Sequence, residues 1–364
     1  MKAFVTGGTG FIGGHLVRQL LTRGYEVVAL ARSAESAAAL QALGAHIVTG
    51  DITNKASMRE GMTGSDVVFH VAGWYHIGAR EWMEAETINV SGTRNVLNLA
   101  HELGVPKIVY TSTVAVFGDT GGELADETYE GSGPFLSEYT RTKWLAHYKV
   151  ALPLIQRGAP IIIVMPGGVY GPGDSSIIAE TMLRFHRGQM PVVPGADTLF
   201  TYAHVEDVAD GHILAAEKGK VGESYILAGP AIPLGEMVDY WADLIGRRRP
   251  MHIPSNYVRP LAPVVGSLNH ALGLSEFYSE ETIRNLGSAQ LGRADKARAQ
   301  LGWKTRPLDV GMRETLAWVT KVNEAQPPML SDQQKQVAQM ALFAAAFLFI
   351  LWLFGRKRNE SESE

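Results

Sequence analysis

The feature that most restricts this chain is a glycine turn near residue 1. Lys2-Ala3-Phe4-Val5 reads as a short buried strand, and it runs into Thr6-Gly7-Gly8-Thr9-Gly10-Phe11-Ile12-Gly13, where an apolar helical pattern begins. In a strand–turn–helix of this spacing, Gly7 makes the turn tight, Gly10 lets the backbone approach a pyrophosphate, and Gly13 lets the helix close on the strand. Backbone N–H groups around Gly10, Phe11, Ile12 and Gly13 then face the anion. An incidental glycine turn would not require strand, spacing and helix together. The expectation is a dinucleotide cradle.

The rest of the first half supports that start. Strand-like segments at 2–5, 26–31, 46–49, 67–70, 107–111 and 160–165 alternate with helical patterns at 13–23, 34–43, 55–62, 83–103 and 137–157. Short apolar strands separated by helices predict an α/β fold, a Rossmann-type doubly wound parallel sheet covered on both faces. Residues 1–170 form this dinucleotide-binding domain, with parts of 200–230 returning to the sheet. Beyond 170 the alternation decays. Residues 171–325 are expected to form a smaller substrate lobe, with helices at 175–188, 205–217, 234–245, 279–286 and 308–323 and a strand at 223–227.

Residues 337–354 read VAQMALFAAAFLFILWLF, eighteen residues with one polar side chain, Gln339. As a helix the run covers about 27 Å, close to a hydrocarbon core, and it is apolar on every face. A linker at 326–336 precedes it, and a polar tail at 355–364 follows. The expectation is a C-terminal membrane helix, with the lipid bilayer as partner. The alternative is a buried core helix. Arg356, Lys357 and Arg358 outweigh Lys335, a bias that keeps the tail cytosolic, so the helix either sends a short tail across or lies in the interface. Met1-Lys2 leads into an apolar run too short for a signal-peptide core, so the catalytic part is expected in the cytoplasm. A formal net charge of −4 gives no global field for nucleic acid. The absence of cysteine removes thiolate metal sites and cysteine nucleophiles.

Arg32 follows the second strand, nineteen residues beyond Gly13. An acidic residue near this point would accept from the ribose 2′-hydroxyl of NAD, whereas a guanidinium suits a 2′-phosphate. This favours NADP(H), with NAD(H) left open should Arg32 be an ordinary surface residue and Glu35 the ribose acceptor. Asp51, with Ile52 beside it, is placed to accept from the adenine amino group or else to cap the next helix. Tyr139 and Lys143 form a YxxxK pair on one helix face. A nearby ammonium lowers a phenol's pKa and makes it a usable acid/base for a carbonyl or carbinol. The hydroxyls of Thr111-Ser112-Thr113 end a strand, where ligands collect in such sheets.

The set TGGTGFIG, GDIT, HVAG, NVSGT, STVAVFG, YTRTK, PGGVYGPGD and HVEDVA, in this order, resembles the extended short-chain dehydrogenase/reductase family over residues 1–325. Within it the chain looks most like the dihydroflavonol-4-reductase-like and 3β-hydroxysteroid-dehydrogenase-like reductases. The resemblance implies that Tyr139 is the general acid/base and that Lys143 holds the nicotinamide ribose. It puts Thr113, five residues before Gly118, in the catalytic Ser/Thr place, with Ser112 as neighbour. It implies that His70, Val71, Ala72 and Gly73 pass the cofactor, that Asn89 lies near the site, and that Pro166 and Val169 lie in a loop beside the nicotinamide. It also implies a homodimer contact through the helices at 83–103 and 137–157. Trp74, Tyr75 and His76 are candidates for the substrate mouth, with ordinary packing as the alternative. His186, His204 and His212 lack metal-ligand spacing, so no metal is expected.

Two departures bear on the substrate. Sugar epimerases of the family usually carry Asn where this chain has Gly168. They also tend to carry a basic residue ahead of HVEDV, where this chain has Phe200-Thr201-Tyr202-Ala203. The reading is an NADP(H)-dependent oxidoreductase interconverting a secondary alcohol and a ketone on a hydrophobic sterol, isoprenoid or phenolic substrate. A nucleotide-sugar epimerase/dehydratase and a non-catalytic dinucleotide sensor are the alternatives.

Overall fold

The computed structural model describes residues 1–76, 83–131, 134–272, 277 and 279–325. The expected linker, apolar run and tail (326–364) lie outside the described residues. Among the described residues no helix is long and apolar enough to cross a membrane.

The strands are β1 (Lys2–Thr6), β2 (Glu26–Ala31), β3 (His46–Thr49), β4 (Val67–His70), β5 (Ile108–Thr111), β6 (Ile161–Pro166), β7 (Gly168–Tyr170), β8 (Val192–Pro194), β9 (Leu199–His204), β10 (Ser224–Leu227), β11 (Ala231–Pro233) and β12 (Met251–Ile253). The helices are α1 (Phe11–Thr22), α2 (Ala34–Ala42), α3 (Lys55–Met62), α4 (Met83–Glu86), α5 (Thr93–Glu102), α6 (Glu138–Trp144), α7 (Leu152–Gln156), α8 (Ile177–His186), α9 (Val205–Lys218), α10 (Leu234–Leu244), α11 (Ser255–Val258), α12 (Ala262–Leu272), α13 (Glu280–Asn285) and α14 (Leu308–Ala325). Wider π-helical turns, Thr87–Gly92 and Leu145–Ala151, join α4 to α5 and α6 to α7.

Seven strands make one sheet in the order β10-β6-β5-β4-β1-β2-β3, parallel throughout. The order reverses between β1 and β4, which opens a crevice at their C-terminal ends. Alternate side chains serve the two faces. Ala3 and Val5 of β1 pack with Leu16, Val17 and Leu20 of α1, while Phe4 packs with Met58, Met62, Val96 and Leu97 on the other side. Both faces are covered, so the strand interiors carry successive apolar residues and do not alternate.

The smaller lobe holds a β11-β9-β7 sheet and a β12-β8 pair. Its core gathers Tyr170, Met182, Phe185, Trp241, Met312 and Leu316 from β7, α8, α10 and α14. Its loop after β7 reaches back to the larger sheet. His15 of α1 donates from Nε2 to the Pro172 carbonyl at 2.9 Å, and a Cβ on Gly173 would lie 3.9 Å from Phe11.

One local expectation is corrected. Pro166 and Val169 do not sit in a loop, because β6 ends at Pro166 and β7 begins two residues later. Only Gly167 intervenes, and a Cβ there would come within 2.2 Å of the Thr201 carbonyl. The close approach of β9 forces a tight strand-to-strand step. Pro166 is buried against β10, and Val169 packs partly onto the sheet core.

Candidate active site

The cradle is built where β1 meets α1. Gly7 has φ +74°, and a Cβ on it would lie 2.5 Å from the Ala72 nitrogen. A Cβ on Gly13 would fall 2.0 Å from the Gly7 carbonyl oxygen. Only glycine fits either position. Gly10 caps α1 without any side-chain hydrogen bond, so no side chain takes the first-turn N–H groups of the helix. A pyrophosphate fits such a turn. Phe11 and Ile12 form the first turn of α1, half-buried at the rim.

His70 has a different role from the one implied by resemblance. Its ring is buried, with Nδ1 2.8 Å from Thr6 Oγ1 and Nε2 3.0 Å from Thr93 Oγ1. Burial, helped by nearby Lys143, lowers its pKa to about 3. The imidazole stitches β1, β4 and α5 together and has no nitrogen left for a ligand. Val71 and Ala72 follow it, part-buried, and Gly73 is exposed.

Asn89 is also fully engaged. Its carbonyl accepts from Trp74 N at 2.7 Å, and its amide donates to Trp74 O and Thr142 Oγ1 at 3.0 and 2.9 Å. It clamps the segment after β4 to α6. Arg32 is exposed at the end of β2. Asp51 caps a turn, its Oδ1 accepting from the Thr53 nitrogen and hydroxyl, both at 2.8 Å. The cap of α3 is Asn54, not Asp51. Ile52 is buried beneath Gly92.

Tyr139 lies in the first turn of α6, capped by Ser137. The Thr113 hydroxyl is near enough to its phenol to favour the phenolate, and it also accepts from Ala115 N at 3.2 Å. Lys143, buried, donates from Nζ to the Thr111 carbonyl at 2.7 Å and sits 5.1 Å from the Tyr110 ring centroid. The expected lowering of the phenol by the lysine is not what this geometry gives. Burial pushes Tyr139 up to about 12, with the nearby Thr113 hydroxyl offsetting part of it, and burial pulls Lys143 down to about 7. Desolvation outweighs their mutual influence. Ser112 does not share the place of Thr113, since its Oγ lies 2.8 Å from His147 Nδ1.

Residues 3–228 match the NAD dependent epimerase/dehydratase family. The chain belongs to that family. A putative dihydroflavonol 4-reductase of Synechocystis is 34% identical over 86% of this chain and 93% of its own. Sterol demethylase protein B of Methylococcus capsulatus is 31% identical over 87% and 98%. The crystal structure of gox2253 superposes with TM-score 0.77 at 32% identity, covering 88% of this chain and 98% of that one. A dTDP-glucose 4,6-dehydratase from Streptomyces venezuelae, with NAD bound, shares the fold at TM-score 0.73 and 22% identity, over 90% and 99%. This member of the epimerase/dehydratase family is an NAD(P)-dependent oxidoreductase acting on CH–OH groups.

Around the phenol, Tyr75 packs edge-on to Tyr139, with ring centroids 4.8 Å apart. Trp74 is buried and His76 exposed, their rings 5.3 Å apart. Asp174, in the loop after β7, went unassigned in the sequence. One of its oxygens accepts from Ser176 N at 2.7 Å, and the other is buried without a partner among the described residues. Burial raises its pKa to about 6, with the Ser176 bonds opposing. His147, Thr142 and His212 were missed as well, because nothing in one sequence says which core polar residues meet. His212 takes Thr111 Oγ1 at 2.9 Å. His204, Glu206 and Glu314 bring ligand-type atoms within 4.8 Å of one another, but Arg306 binds both carboxylates at 2.9 Å.

Proposed function

We propose that this enzyme is an NADP(H)-dependent ketoreductase for a lipid-soluble substrate, working in the reverse sense as an alcohol dehydrogenase. The observation that carries the reading is the buried Tyr139 phenol, whose pKa burial raises, with Thr113 near it and Tyr75 packed edge-on against its ring. A carbonyl oxygen beside it takes the phenolic proton, while the Thr113 hydroxyl orients that oxygen. The turn at Gly7, Gly10 and Gly13 would hold the pyrophosphate, Lys143 the ribose and Arg32 the 2′-phosphate. NADPH, when bound, supplies the hydride.

The substrate class is supported from three sides. One relative is named sterol demethylase protein B, and another is a ketoreductase of a farnesyl-bearing quinoline oxide from Stigmatella aurantiaca, 32% identical over 84% of this chain. The apolar run 337–354 would hold the catalytic part, on the cytoplasmic side, beside a lipid reservoir. A Cβ on Gly168 would lie 3.3 Å from Tyr202 and 3.7 Å from Ile178. That wall leaves little room for the sugar-holding Asn of the epimerases. A homodimer through the helices around Asn89 and Lys143 belongs to the same reading.

The test is a panel of cholestanone, farnesylacetone and flavanone with NADPH and NADH, alongside UDP-glucose. NADPH should be oxidised with at least one apolar ketone, and Tyr139→Phe should abolish that turnover. Arg32→Asp should move the preference toward NADH. Turnover of UDP-glucose without net change in the reduced nicotinamide band, and none of the ketones, would overturn the proposal.

A further inference from the structure

Ser112 closes β5 beside the catalytic threonine, yet its hydroxyl turns away from the phenol. Its Oγ lies 2.8 Å from Nδ1 of His147. His147 stands four residues beyond Lys143 on the same helical run, inside the π-helical turn Leu145–Ala151, and its side chain is buried. The groups facing Lys143 are all neutral. From β4 comes His70, and from β5 the Tyr110 ring and the Thr111 carbonyl. Behind Thr111 lies His212 of α9, and from the lysine's own run come Tyr139 and His147. Among the described residues Lys143 makes no ion pair with a carboxylate.

We propose that His147 is a positioning residue for the reaction: a neutral partner that fixes the Ser112 hydroxyl and the end of β5, and that leaves Lys143 the only charge beside Tyr139. The first role is geometric. Removing one partner leaves the other buried and unpaired, and the strand end that carries Thr113 loses a fixed point. The second role is electrostatic. An uncompensated, buried ammonium loses its proton at lower pH than an exposed one. The alkaline limb of kcat therefore falls near neutrality, where burial alone sets Lys143. A carboxylate at position 147 would oppose the burial and move that limb upward.

The proposal rests on the reductase reading for its activity assay, so one readout is made independent of substrate. The full-length enzyme and the variants His147→Gln, His147→Leu, His147→Glu and Ser112→Ala are compared in cholestanone reduction by NADPH across pH. Lys143 is titrated in parallel by NMR of 13C-labelled lysine, with no substrate added. His147→Gln should keep wild-type kcat within about threefold, because an amide can hold Ser112. His147→Leu should lower kcat about tenfold or more with little change in KM. Ser112→Ala should do the same, and the double variant should be no worse than either. His147→Glu should raise both the lysine titration and the alkaline limb by about one pH unit or more. Ser112→Ala carries the geometric arm should His147→Leu fail to fold. Wild-type kcat in both of these variants, or an unmoved lysine titration in folded His147→Glu, would overturn the proposal. Absence of cholestanone turnover in the wild type, with the lysine titration shifted as expected, would count against the substrate reading and leave the role of His147 supported.

Discussion

At the scale of single residues, burial decides the protonation states that matter. Tyr139 keeps its proton because its phenolate would be desolvated, so in the proposed reaction it enters as an acid. Tyr139→Phe should lower kcat by about 10²–10⁴-fold while NADPH affinity stays within about twofold, checked by stopped-flow and fluorescence titration. Asp174 shows the same physics, with the same sign in its effect on stability. Its pKa is raised in the folded state, so the folded form binds that proton better. The stabilisation is full below the ordinary carboxylate range and is lost as pH rises through about 6. Asp174→Asn should therefore be more stable than the wild type at alkaline pH, by about 1–3 kcal/mol, with the gap closing as pH falls below the carboxylate range. Urea unfolding at several pH values reads this directly. At this scale the YxxxK pair was legible because both residues lie four apart on one helix. The choice between Ser112 and Thr113 was not, since it depends on His147, thirty-five residues away in sequence.

Among the elements, the glycine turn was fully readable, and its spacing already demanded the close approach seen at Gly13. Gly13→Ala should weaken NADPH binding by about tenfold or more, or unfold the turn, because its Cβ would sit 2.0 Å from a carbonyl oxygen. Calorimetric titration of the folded fraction distinguishes the two. The parallel strands were legible because continuous burial writes a continuous apolar run. The lobe strands were harder, since β7, β8, β11 and β12 span three residues each and carry no periodicity. In α14, Val310, at its start, is exposed, and Met312, Leu316 and Val319 make the contact. The π-helical turns have no signal in one sequence. They widen the run at Asn89, whose amide serves Trp74 and Thr142 together. Asn89→Ala should cost about 2–4 kcal/mol from three lost bonds and an unpaired Trp74 backbone, measurable by urea unfolding.

For the whole molecule, four buried histidines among the described residues set an acid limit. Burial depresses His70 to about 3 and His147, His204 and His212 to about 4. Each binds a proton more weakly in the folded state than in the unfolded chain, so stability present at neutral pH drains as pH falls from about 6.5 toward 4. Asp174 opposes them by one proton. Near pH 5 the net of about three protons gives a slope of about 4 kcal/mol per pH unit. Denaturation at closely spaced pH values tests this, and a slope near zero would contradict the burial of these rings.

The hydrogen bond from His15 to the Pro172 carbonyl gives the molecule a mechanical tie between the phosphate turn and the smaller lobe. Mass action makes that tie consequential. A dinucleotide held at a hundred times its Kd adds about 2.7 kcal/mol to the folded state. Part of that gain should pass through Pro172, and appear as slowed amide exchange in α8 as well as in α1. His15→Ala should confine the protection to α1. With His15 intact, the smaller lobe would register cofactor occupancy on its own.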